Sequence, residues 1–556
     1  MSAIWLLVAG IAMFVAAYVF YGGFLARKLG LDRNRVTPAH THEDGVDYVP
    51  AKPAVVLGHH FASIAGAAPI IGPVTALAFG WLPVYVWLVL GGIFMGAAHD
   101  FMAIVASLRH QGKSIGEVVE EHVGATGKVL FLVFAWSALV LVIAVFAIVV
   151  AKTFVAVPAA ATASLWFMVL AVLFGVAVNR FRVPFVPATL VGVLLLFAGL
   201  VVGQYAPLTL SEDPDRAMKL WLWILFGYVF VASVTPVWAL LQPRDYLNSY
   251  LLYAMLILGL VGVVVYNPKI EYAATTGFHD PKLGYLFPAL FVTVACGAIS
   301  GFHSLVGSGT TSKQINRETD AKLVGYGGML IESLLAVLAL VTVATMARAD
   351  YDGFLGAGGG GPVAAFSAGL GTFIASLGIP KEAAVSFVAL AVSAFALTSL
   401  DTGTRLCRFC FQEFFEPRTE GAKPSILATN RYLATAVGVG LAMALAFSGK
   451  WQQIWPIFGS ANQLLAALAL LAVSVWLAHR SRSTWFAIVP MVFMFAVTMT
   501  SLVTLGAKNL GDGVNPLLGV VALALFAVAY LLALQAGITL WATYRRAGIK
   551  PLRSSS

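Results

Sequence analysis

Six ionisable side chains interrupt stretches of this chain that are otherwise apolar: His59 beside His60, His99 beside Asp100, then His303 and Glu332. A charge at the centre of a bilayer costs about 2.5 to 3.5 kcal/mol on insertion scales, so each group must face protein, water or a partner. The chemistry they suggest is proton transfer. In this reading Asp100 or Glu332 takes up and releases a proton, with a histidine as relay, because imidazole titrates closest to neutral pH. The competing reading is that the same groups hydrogen-bond helices together. A metal centre from His59, His60, His99 and Asp100 is a further alternative with suitable ligand types, although adjacent residues such as His59 and His60 point to different faces of a helix. Asp401 and Arg405, in Asp-Thr-Gly-Thr-Arg, are expected to form a cap or an ion pair at the inner end of a span.

Hydroxyls form the second set. The run from Cys296 to Gln314 is unusually polar for a membrane segment and carries Ser300, Ser304, Ser308 and Thr311, which suit a small cation. Its Gly297, Gly301 and Ser304 equally suit close helix packing. Proton and sodium coupling are both compatible with these residues; no cofactor, resident metal or catalytic residue is expected. Cys407-Arg-Phe-Cys410 lacks the second pair that a tetrahedral zinc site needs. Residues 307 to 313 superficially suggest a phosphate loop but lack its Gly-Lys-Ser/Thr ending, which disfavours ATP-driven transport.

The elements holding these groups follow from composition. Of 556 residues 60% are hydrophobic and 11% charged, against roughly 25% charged in soluble domains. Apolar stretches of about twenty residues recur along the chain, and we place fifteen spans, the first at 4–26 and the last at 515–543. The first lacks the basic start and cleavage site of a secretory signal and reads as a retained span. With the N-terminus outside and the C-terminus inside, the outer loops keep only Lys152, Arg216, Lys219, Lys269, Lys282, Arg348, Lys381, Lys450 and Lys508 of the 34 Lys and Arg. This is the positive-inside bias. Topology and anionic headgroups account for the net charge of +9 without a nucleic-acid partner. The apolar stretch 363–378 is short enough to be re-entrant or interfacial.

Two of these spans carry helix breakers. Between Gly58 and Pro73 the chain has Ala65-Gly66-Ala67-Ala68-Pro69, where Pro69 frees the carbonyl of Ala65 and Gly66 makes unwinding cheap. Five spans later, in the span at 219–241, Ala232, Ser233, Thr235, Pro236 and Trp238 form a second expected break, with Pro236 freeing the carbonyl of Ala232. Exposed backbone inside a membrane is tolerated only against protein or a water-filled cavity, which in transporters is the substrate site. An odd offset of five spans runs the two halves in opposite directions, the inverted-repeat architecture of LeuT-type transporters. The expected fold is all-α and polytopic. It has a leading helix and cytoplasmic loop (1–53), five-span repeats at 54–204 and 219–400, and a C-terminal four-span block (431–543) as a candidate dimer support. Each half-helix N-terminus offers about half a positive charge and free N–H groups, which suits a carboxylate, with a cation beside it on the freed carbonyls.

Gly58 to Pro73, Gly96-Ala-Ala-His-Asp100, Gln242-Pro-Arg-Asp-Tyr-Leu247, Cys296 to Gln314 and Asp401-Thr-Gly-Thr-Arg405 resemble the carbon starvation protein A family. The likeness runs from the first span to about the fifteenth. It implies an uptake carrier of the bacterial or archaeal inner membrane, with members linked to peptide use in carbon starvation and others to pyruvate import with protons. In LeuT-type carriers the third span of the second half supplies hydroxyls to a cation held on carbonyls of the first broken helix, a role that would fall to Ser300, Ser304, Ser308 and Thr311. The expected function is ion-coupled symport of pyruvate or a short peptide. The alternatives are a membrane sensor or metal-binding protein without transport, and a passive channel.

Overall fold

Apolar runs longer than twenty residues can satisfy their backbone polar groups within lipid only as helices. The computed structural model describes residues 1–45, 47–235, 241–356, 359–417, 423–448, 451–511 and 515–546. Among these, twelve helices are long and apolar enough to cross a membrane, and one bent pair adds a thirteenth crossing.

In chain order, α1 (Ile4–Leu29) precedes the bent pair α2 (Pro53–Ile64) and α3 (Ala68–Ala76). Next come α4 (Trp81–Arg109), the short amphipathic α5 (Ile115–Val123) and α6 (Ala125–Ala156). A hairpin, α7 (Pro158–Val178) and α8 (Phe185–Tyr205), leads to α9 (Pro214–Val234) and α10 (Leu241–Tyr266). The chain continues through α11 (Leu286–Val294), α12 (Gly301–Gly309), α13 (Lys322–Ala344), α14 (Arg348–Leu355) and α15 (Gly361–Ala375). It ends with α16 (Lys381–Phe414), α17 (Arg431–Phe447), α18 (Trp451–His479), α19 (Trp485–Gly511) and α20 (Pro516–Arg546). The stretch expected at 363–378 is thus a 15-residue helix, α15.

The core is built around α6 and α16, which pack along each other. At 32 and 34 residues they are the longest helices described. At 1.5 Å per residue each is about 50 Å long, more than the roughly 30 Å of bilayer hydrocarbon, so they tilt or project beyond it. Helix α18 is buried along its whole apolar window, whereas α1 and α8 turn most of theirs outward.

The first break lies where the sequence placed it. Helix α2 stops at Ile64, Ala65 leaves helical geometry (φ −74°, ψ 64°), and α3 resumes with Pro69 in its first turn at a bend of 49°. Gly66 is required by space: a Cβ there would stand 2.5 Å from the Ser399 Oγ of α16.

The second expected break is corrected. Helix α9 runs unbroken through Ala232 and Ser233 to Val234, and Thr235 is extended (φ −77°, ψ 145°). A residue before proline is pushed out of helical geometry, so Pro236 follows the end of a full helix of about 32 Å instead of splitting one. Pro236 and Trp238 themselves lie outside the described residues. The chain instead breaks in the segment expected as a continuous span at 285–308. There α11 tightens into a 3-10 turn at Ala295–Gly297, Ser300 is extended (φ −141°, ψ 127°), and α12 starts afresh at Gly301. A Cβ on Gly301 would meet the Asn462 carbonyl oxygen at 2.3 Å and the Ala466 nitrogen at 2.4 Å, so the new helix begins directly on the backbone of α18. The two broken segments pack together, α3 against α11 and α2 against α12.

Candidate functional site

Around these breaks the ionisable residues converge. Asp100 on α4 is fully buried, and each of its oxygens meets an imidazole: His99 Nδ1 at 2.7 Å from Oδ1 and His303 Nδ1, from α12, at 2.8 Å from Oδ2. An ionised carboxylate only accepts, so both Nδ1 atoms carry the proton. That leaves His303 Nε2 to face Glu332 Oε2 of α13 at 3.4 Å. Neither Glu332 oxygen makes a hydrogen bond among the described residues. Two bare lone pairs would repel at that distance, so a proton belongs between them, on nitrogen or on oxygen. His60 of α2 closes the cluster: its Nδ1 lies 2.8 Å from Thr311 Oγ1, and its ring packs over Gly328, one turn before Glu332. All of these side chains are buried.

Six residues singled out from sequence therefore share one site: His60, His99, Asp100, His303, Thr311 and Glu332. His59 does not join them, nor does it form a metal centre with His60, His99 and Asp100. Its Nδ1 lies 3.6 Å from Asp245 Oδ2 on α10, because neighbouring helical residues diverge. The hydroxyls of Ser304 and Ser308 donate back to carbonyls of their own helix, Gly301 and Ser304. Ser300 bonds the Asn462 side chain. The hydroxyl that reaches a carbonyl at the first break comes from α16, where Ser399 Oγ donates to the Ser63 carbonyl at 3.3 Å. Ala65, Gly66, Ala67, Ala68 and Pro69 are buried at that break, and α3 starts with no side-chain cap.

A second cluster was missed. Arg244 of α10 donates to Asp401 of α16, to the Tyr228 hydroxyl (2.7 Å) and to Asp245 (3.1 Å), while Tyr228 donates to Asp401 at 2.6 Å. Asp401 thus pairs with Arg244 and not with Arg405. Arg405 takes the capping role, donating to the carbonyls of Ala232 (3.2 Å) and Thr235 at the end of α9. The available signal was an Arg-Asp pair, Arg244-Asp245, beginning an apolar run.

Helices that cross a membrane, two broken segments packed together and a buried chain of titratable groups define a multi-pass membrane protein with a polar centre. The chain belongs to the carbon starvation protein CstA family, whose model matches residues 2–358 and 355–501. It is 34% identical to the peptide transporter CstA of Escherichia coli strain K12, over 90% of this chain and 80% of that one. It is 32% identical to the pyruvate/proton symporter BtsT of the same organism, over 90% and 81%. With the peptide transporter CstA of Bacillus subtilis strain 168 the identity is 31% over 97% and 98%. Among solved structures it is similar to a manganese transporter from Eremococcus coleocola at 12% identity and TM-score 0.48, covering 90% of this chain and 99% of that one. The chain is a multi-pass protein of the bacterial inner membrane.

Proposed function

We propose that this protein is a proton-coupled symporter importing pyruvate or a short peptide. The observation that carries the reading is the buried path Asp100–His303–Glu332, whose last two groups face each other at 3.4 Å with no other hydrogen-bond partner for Glu332 among the described residues. The relative described as a pyruvate/proton symporter supports the same ion. A sodium reading would place the ion between Ser399 and the Ser63 carbonyl, but those two groups already satisfy each other. The substrate carboxylate is assigned to the uncapped start of α3, next to Ala67 and Ala68. The start of α12 is less open, since Asn462 Oδ1 already accepts from Phe302 N at 2.9 Å.

Reciprocal packing supports an inverted repeat with boundaries different from those expected. The first set is α2–α3, α4, α6, α9 and α10; the second is α11–α12, α13, α16, α17 and α18. Helix α10 packs on α2, α15 and α16, and α18 packs on α11, α5 and α6, as inverted copies require. Helices α9 and α17 touch each other and both α6 and α16. Each set carries a π-helical turn in its second member, at Gly92–Gly96 and Lys322–Gly327. The α7–α8 hairpin is then an insertion, α1 a leading helix and α19–α20 an appended pair, giving fifteen crossings with the N-terminus outside.

The test is uptake of radiolabelled pyruvate and dipeptides into proteoliposomes under imposed proton or sodium gradients. Accumulation driven by protons, and abolished by Glu332→Gln, is expected. Accumulation driven only by sodium would overturn the proton assignment, and none under either gradient would reject the symporter.

A further inference from the structure

Beyond the C-terminal end of the helix that carries Asp100, three chain segments bring a second set of metal-competent side chains together. Helix α4 ends at Arg109, and His110 follows as its cap, with its backbone N–H on the Ser107 carbonyl. Helix α5, started by Ser114, carries Glu121 and His122 in its last turn. His110 Nε2 and His122 Nε2 stand 2.9 Å apart, and Glu121 oxygens lie 3.8 Å from the first and 3.9 Å from the second. Around an ion with bonds of about 2.0–2.1 Å, tetrahedral ligand atoms are separated by roughly 3.4 Å. The Nε2–Nε2 spacing lies below that value and the two Glu121 spacings, each to a different oxygen, lie above it, so a modest rotation of the exposed Glu121 carboxylate and a parting of the two rings complete the geometry.

The outer contacts are those of a ligand set. His110 Nδ1 lies 2.6 Å from the Ala106 carbonyl, which only accepts, so the proton sits on Nδ1 and Nε2 offers a lone pair. On the far side of His122, Nδ1 meets His479 Nδ1 of α18 at 3.1 Å, and His479 Nε2 is held by Thr543 Oγ1 of α20 at 3.0 Å. Metal-bound imidazoles characteristically donate their second N–H to such partners, which fix the ring and its tautomer. The His110 side chain is 4% exposed and that of His122 12%, but Glu121 is 64% exposed, which leaves an entry from solvent. Two nitrogens and one carboxylate oxygen suit a first-row ion such as zinc better than magnesium or calcium.

We propose that His110, His122 and Glu121 form a binding site for a divalent transition-metal ion of the zinc type, braced by His479. A bound ion would pin the ends of α4 and α5 together and, through His479, to α18. The site lies outside the proton path and does not depend on the proposed transport reaction.

The test is equilibrium binding of ZnCl2 to the full-length protein, stripped with chelator and held in nanodiscs, with MgCl2 as the control. One equivalent of zinc is expected, and Co2+ in its place should give the strong visible absorption of a tetrahedral site. His122→Ala should remove the equivalent and the colour. His479→Ala should weaken binding by about 10- to 100-fold. Because Glu121 is exposed, Glu121→Gln leaves folding intact and should still weaken binding. Zinc binding unchanged in both His122→Ala and Glu121→Gln, or no stoichiometric binding to the wild type, would overturn the proposal.

Discussion

At the residue scale, the two buried clusters differ in what they can do. The Asp100 cluster has a gap in its bonding, at His303 and Glu332, where a proton can change owners. In the Arg244 cluster a guanidinium sits between Asp401 and Asp245, with Tyr228 filling one more bond, while Arg244 Nε and Asp401 Oδ1 have no hydrogen-bond partner among the described residues. Arg244 is therefore a structural charge, and its loss strands two buried carboxylates. Arg244→Ala should destabilise the protein by about 3–5 kcal/mol, while removing Arg244 and Asp401 together should cost less than Arg244→Ala alone. Denaturant unfolding of the purified protein in detergent measures both, and a double variant no more stable than the single one would contradict the pairing. The ionisable groups were legible from sequence because charge on an apolar stretch is rare. Their partners were not, since Asp100, His303 and Glu332 lie on three helices and meet only in the folded bundle.

At the element scale, the contrast between Pro69 and Pro236 shows what a helix breaker does and does not encode. Pro69 lies in the first turn of the helix that resumes after a break, whereas Pro236 follows the end of a full helix in the sequence. The second break has no proline at all. It rests on Gly297 and Gly301 flanking Ala298-Ile299-Ser300, a pattern that sequence alone cannot tell from a helix-packing seam, and Gly301 serves that purpose too. Gly301→Ala forces a methyl group into the α18 backbone, and we expect a stability loss of about 1–3 kcal/mol together with loss of uptake. Thermal unfolding and the proteoliposome assay report the two effects separately. Wild-type behaviour in both would mean that α12 can retreat from α18.

At the scale of the whole molecule, the sorting of connections to two faces is internally consistent. Ser2 pairs with Lys269 at one end, while Ala51 pairs with Ile315 and Arg482 reaches the Lys28 carbonyl at the other. The second face is the one where Arg27, Lys28, Arg109 and Arg480 gather, and it is the cytoplasmic face in the topology proposed above. The three native cysteines are buried, so a single introduced thiol can be read against a low background. Asp213→Cys should react with an impermeant maleimide added to intact cells, and Arg33→Cys only after lysis; the reverse pattern would invert the topology. Composition made the membrane class plain. In the repeat proposed above, the α7–α8 hairpin adds two spans, and an even insertion leaves every later orientation unchanged.

The pairing of α6 with α16 also has a consequence for biosynthesis. The central pillar of the bundle joins two helices separated by the whole middle of the chain. A ribosome adding about 5–20 residues per second leaves α6 in the bilayer for roughly 10 to 45 s before its counterpart emerges. During that interval the face it later turns to α16 must be covered by the α7–α8 hairpin, by lipid or by the insertion machinery.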